Sequence, residues 1–139
     1  MSNPNNQKLF AVIGAVVTWF AVIAQFVVTY RNAEGDATFA MVNLFSYFTI
    51  LTNIMVAAAF TAFAFEPKRC CTILCNANTQ TAILVYIIVV GAIYSLLLRG
   101  TWSPQGFQKA VDELLHTVVP LLYLFYWLYY TPKKFYRIA

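Results

Sequence analysis

Four long apolar runs, separated by short polar breaks, constrain this 139-residue chain more than any other feature. Lipid offers no hydrogen bonds, so a segment crossing it must satisfy its own backbone, and a helix of about 20 residues does so. The pattern predicts an all-α, polytopic membrane bundle with transmembrane helices at about 9–30, 39–65, 79–98 and 107–130. Only 10% of the residues are charged, against about 25% in a soluble domain. The expectation is one transmembrane domain over 1–139, with no separate soluble domain. The first run is longer than the roughly 7–15 apolar residues of a cleaved signal, and it lacks a clear cleavage site.

The breaks carry helix punctuation. Gly35 marks the first turn and Pro67 closes the second helix, because proline cannot continue the ladder. Asn76 or Asn78 opens the third helix, which Arg99 ends. A glycine- and proline-containing turn leads into the fourth. Trp102 reads as an interfacial anchor, and Tyr123, Tyr126, Trp127, Tyr129 and Tyr130 as an aromatic belt. With four spans, Lys8, Lys68, Arg69, Lys133, Lys134 and Arg137 share one side. Arg31, Arg99 and Lys109 share the other. That excess places both termini in the cytoplasm of a cell (plasma or inner) membrane. The net charge of +4 suits an anionic leaflet. No nucleic-acid motif is present. Membrane lipids are the expected partners, and an oligomer is an open alternative.

Cys70, Cys71 and Cys75 read as reduced loop thiols, with juxtamembrane palmitoylation as the sharper alternative. A zinc site would need a fourth ligand that is not nearby. A di-iron site built on Glu113-x-x-His116 would need a second copy of that motif. One histidine could serve only a single axial position of haem. No cofactor or metal is expected.

Polar residues inside spans are expensive and mark function or packing. In the first span Gly14, Thr18, Gln25 and Thr29 share a stripe, the usual inter-helix face. In the third, Gly91 and Ser95 are candidates for close packing. In the second, Ser46, Thr49 and Asn53 share a face, with Asn43 and Thr52 at its edges. The fourth carries Asp112, Glu113 and the only histidine, His116, on one arc with Pro120 and Tyr123. Pro120 cannot donate to the carbonyl of His116, so a kink and a freed acceptor are expected beside the imidazole. Thr49 and His116 lie about ten and nine residues into their helices. At about 1.5 Å per residue both sit roughly 14–15 Å deep.

A threonine hydroxyl becomes a nucleophile when a base takes its proton, and an imidazole backed by a carboxylate is such a base. Thr49 and His116, with Asp112 or Glu113 as orienting carboxylate, form a candidate catalytic set. Ser46 or Asn53 could donate to an oxyanion. Arg99 reads as a snorkelling cation or as a clamp for a lipid carboxylate. The alternative is a non-enzymatic protein, an assembly subunit or lipid binder. In that case Asp112, Glu113 and His116 form an inter-helix knot.

Three stretches carry a resemblance: FSYFTILTN, YSLLLRGTWSPQG and DELLHTVVPLLYLFYWL. Together they resemble the bacterial Pr-six-Pr membrane proteins. These look like relatives of the androgen-induced, FAR-seventeen-a-like integral membrane family, which includes the androgen-dependent TFPI-regulating protein. The resemblance covers about Phe39 to Lys133. The eukaryotic relatives are threonine hydrolases of fatty acid esters of hydroxy fatty acids. The resemblance therefore implies Thr49 as nucleophile, with Thr52 if the register slips, and His116 as base. It also implies further transmembrane sequence after the fourth span, whereas this sequence ends at Ala139.

Overall fold

The computed structural model describes residues 3–31, 37–65, 73–74, 76–101 and 105–131, with the side chains of 29–30, 37–42 and 44–46 outside the description. The elements run α1 (Pro4–Arg31), α2 (Ala37–Phe65), α3 (Ala77–Ile93), α4 (Phe107–Glu113) and α5 (Val119–Tyr130). A π-turn over Tyr94–Leu98 extends α3, and a second over Leu114–Val118 joins α4 to α5. Among the described residues four helices are long and apolar enough to cross a membrane: Pro4–Val28, Tyr47–Phe65, Ala77–Leu98 and Phe107–Tyr130. The regular elements among the described residues are all helical, and the chain has the make-up of a multi-pass membrane protein. Pro67, the cysteines, Trp102 and the basic tail lie outside the described residues.

Local chemistry sets the helix starts. Asn3 caps α1 by accepting from the Asn5 N–H at 3.0 Å, and Pro4 takes the first helical position, where no N–H is needed. Asn76 caps α3 in the same way through the Asn78 N–H at 3.0 Å. Gly106 precedes α4 with φ +66°, a left-handed value that only glycine adopts without strain.

α1 packs on α2, α4 and α5, while α3 packs on α2 and α5. Towards the end of the bundle holding the N-terminus, Phe60 is fully buried. It sits edge-on to Tyr123 and Tyr126, with ring centroids 5.4 and 5.5 Å away. Gly14 makes room for it, since a Cβ there would stand 2.9 Å from the Phe60 ring. Towards the other end Ala21, Val22 and Ala24 meet Val111 and Leu115. Small residues bring α1 close to its neighbours, which is how helices associate where lipid removes the hydrophobic drive.

The polar stripe of α1 faces inward as expected: Thr18 is fully buried and Gln25 nearly so. Thr29 lies outside the described side chains. Four threonines of the spans donate to carbonyls of their own helices. Thr18 donates to the Gly14 carbonyl, Thr52 to Phe48, Thr61 to Ala57 and Thr81 to Ala77.

Two expectations change. Ser95 is exposed, so Gly91 alone of that pair packs closely. The aromatic belt divides, because Tyr123 and Tyr126 share the buried face with Val119 and are core residues. Tyr126 stacks on Phe63 at 4.8 Å and accepts from Gln7 at 3.0 Å. Tyr129 stays exposed, and Trp127 is half-buried with its indole donating to Thr81.

Candidate functional site

The histidine lies where the fourth transmembrane helix leaves α geometry. Over Leu114–Val118 the helix widens, and the Val119 N–H reaches back to the Leu114 carbonyl. Pro120 follows at the start of α5. The ring of Pro120 would strike a carbonyl four positions back, and the π-turn moves that carbonyl clear. Pro120 also brings no N–H. That omission deprives the His116 carbonyl in α register and the Leu115 carbonyl in π register.

Neighbouring helices approach both acceptors. Asn53 of α2 aims Nδ2 at the Leu115 carbonyl from 3.5 Å, long for a hydrogen bond. Gly91 of α3 lies against the His116 carbonyl, so close that an added Cβ would stand 2.9 Å from that oxygen. A carbonyl pressed on a glycine Cα is a recurrent close contact between helices.

The imidazole is held on two sides. Nδ1 lies 2.8 Å from the Asp112 backbone carbonyl. A carbonyl only accepts, so in the neutral ring the hydrogen sits on Nδ1 and Nε2 keeps the lone pair. One face stacks on Tyr94, with centroids 4.1 Å apart and planes at 12°. Tyr94 is buried and opens the π-turn of α3, which the Arg99 N–H closes on the Tyr94 carbonyl at 2.8 Å. The two π-turns thus meet through the Tyr94–His116 stack.

The Glu113 carboxylate is engaged by Arg99 and Thr117. Glu113 faces Arg99, whose Nη2 lies 3.2 and 3.0 Å from its two oxygens. Thr117 donates to Glu113 at 3.0 Å and lies 3.2 Å from the same Arg99 nitrogen. Arg99 also stands 5.6 Å over the Tyr94 ring. The acid that Arg99 clamps is therefore the chain's own. The group fixing the His116 tautomer is the backbone of Asp112, whose side chain is buried.

On α2, Thr49, Thr52 and Asn53 are all buried, and Ser46 lies outside the described side chains. Asn53 donates to the Thr49 carbonyl at 2.8 Å as well as pointing at Leu115. With both amide hydrogens directed at carbonyls, Asn53 offers an acceptor, not an oxyanion donor. Its Oδ1 is buried and has no hydrogen-bond partner among the described residues. The Asn53–Leu115 approach also sets the level of the two helices. Thr49 lies one turn before Asn53, level with Val111 and Asp112 on the fourth helix. Side chains lean towards the start of their helix, and the bond to Asp112 carries the His116 ring back over that same turn.

Sequence reasoning missed Tyr94 and Thr117. Thr117 stands at i+4 from Glu113, a spacing that could have exposed it. Tyr94 lies on another helix and gives no such signal. No family model, no curated protein and no solved structure matches this chain.

Proposed function

We propose that the chain is a multi-pass hydrolase of fatty acid esters, working within a cell membrane with both termini cytoplasmic. One observation carries the reading. His116 has its Nδ1 engaged by a backbone carbonyl, so the lone pair of Nε2 serves as a base inside a lipid-embedded bundle. Thr49 stands on α2 level with Val111 and Asp112, the turn towards which the His116 ring leans. The resemblance of its surroundings to a threonine hydrolase motif supports it as nucleophile. In this scheme Thr49 Oγ1 attacks the acyl carbonyl carbon while Nε2 takes the hydroxyl proton. The ester C–O bond then breaks, and the leaving alcohol carries that proton away. Water attacks the acyl-threonine next, giving one proton to Nε2, and the fatty acid leaves as Thr49 recovers its hydrogen. The ester reaches the site sideways from the bilayer. Purified protein in proteoliposomes should release fatty acid from a long-chain ester, and Thr49→Ala should reduce the rate at least 100-fold. Unchanged release by Thr49→Ala overturns the role of Thr49.

A second reading is a non-enzymatic lipid binder or assembly subunit. The tie from Arg99 to Glu113 and Thr117, which binds α3 to the fourth helix, favours it. There His116→Ala would lower the abundance of the protein, with no ester turnover in the wild type to lose.

A further inference from the structure

A groove of about 730 Å³ runs between α1 and α2 on the outside of the bundle. Its walls are Lys8, Val12, Val16, Trp19, Thr61 and Phe65. Positions 8, 12, 16 and 19 fall on one stripe of α1, bracketing about 16 Å of helix. The groove exists because Ala15 and Ala64 line it where larger residues would fill it. Its volume lies within the roughly 300–1,000 Å³ of small-molecule sites. Its character changes from end to end. The Trp19 indole donates to Thr61 Oγ1 at 2.9 Å, so that end offers no free indole donor. The middle is aliphatic. At the other end stands the exposed Lys8, one turn into α1. An oily slot with one cation at its polar mouth matches an amphiphile with an acyl chain and an anionic head. Juxtamembrane lysines attract anionic lipid heads in the same way.

We infer that this groove is a binding site for one acyl chain of an anionic phospholipid, whose phosphate pairs with Lys8 while the chain lies along Val12 and Val16 to Trp19. The lipid comes from the surrounding leaflet. Thr61 is twelve residues from Thr49, about 18 Å along α2, so the groove is separate from the histidine site. Its occupancy is independent of any hydrolytic activity.

Trp19 reports on the groove directly. With Trp102→Phe and Trp127→Phe in place, Trp19 is the sole tryptophan. Its fluorescence is measured in vesicles of phosphatidylcholine mixed with dibromo-acyl phosphatidylglycerol or with dibromo-acyl phosphatidylcholine. The anionic brominated lipid should reach half-maximal quenching at a mole fraction at least threefold lower. Lys8→Gln should remove that preference while leaving quenching, and Ala15→Phe should weaken quenching by both lipids. Equal quenching by the two lipids in protein with Lys8 intact overturns the proposal. So does weak quenching by both together with a Val16→Cys disulfide-linked dimer, which would place a second copy in the groove. Should the double Trp→Phe protein fail to fold, the lipid-preference comparison is made on protein retaining all three tryptophans, with Trp19→Phe as the subtraction control.

Discussion

Replacing His116 with glutamine is expected to lower fatty-ester turnover by about 10²–10⁴-fold, the usual contribution of a general base, while the protein accumulates at its normal level. Glutamine is the informative choice. Its amide can donate to the Asp112 carbonyl as Nδ1 does, so that backbone acceptor stays satisfied. What it cannot do is accept a proton at neutral pH. The variant also loses the stack on Tyr94. An aromatic pair contributes about 0.5–1.5 kcal/mol, too little to empty the membrane of protein. Initial rates and membrane abundance, measured on the same preparations, separate the two effects. Abundance falling in proportion to turnover would instead favour the reading in which His116 ties helices together.

The Gly91→Ala exchange is expected to destabilise the bundle and to damage turnover with it. Helix propensity alone argues the opposite, because alanine is better than glycine in a helix interior by about 1 kcal/mol. Packing decides the sign. The new methyl would stand 2.9 Å from the His116 carbonyl oxygen and near the Pro120 ring. That oxygen is backbone and cannot swing aside. Overpacking of this kind costs about 1–3 kcal/mol and pushes the two helices apart. The loss falls where Tyr94 stacks on His116, so the base should lose its position as the helices separate. Thermal unfolding in detergent should show a lower midpoint than the wild type. A higher midpoint would mean that α3 and the fourth helix do not approach at Gly91 as described.

The fold was legible because lipid permits so few solutions. Runs of apolar residues must be helices, and caps such as Asn76 follow from side-chain chemistry one turn away. The inward stripe of Thr18 and Gln25 followed from helical periodicity in the same way. Which aromatic residues face lipid was less legible. Tyr123 and Tyr126 differ from Tyr129 only in azimuth, and azimuth depends on what the helix packs against.

The site was legible in part. Pro120 foretold a released carbonyl, because a missing N–H is a local fact. That the helix would answer with a π-turn, and that Gly91 would receive His116's oxygen, depended on α3. Asp112 and Glu113 are both spaced to reach His116, and spacing does not choose between a carboxylate and a backbone carbonyl. Arg99 holds the Glu113 carboxylate, and His116 Nδ1 lies on the Asp112 backbone carbonyl.

Mapping a covalent adduct tests the Thr49–His116 pair most directly. A long-chain fluorophosphonate reacts with a hydroxyl that a neighbouring base activates: fluoride leaves and a phosphorus–oxygen bond forms at the nucleophile. After labelling in proteoliposomes and proteolysis, the adduct should map by mass spectrometry to the peptide bearing Thr49. It should be absent in Thr49→Ala and strongly reduced in His116→Gln. An adduct that persists in both variants, or one that maps to another residue, contradicts the account.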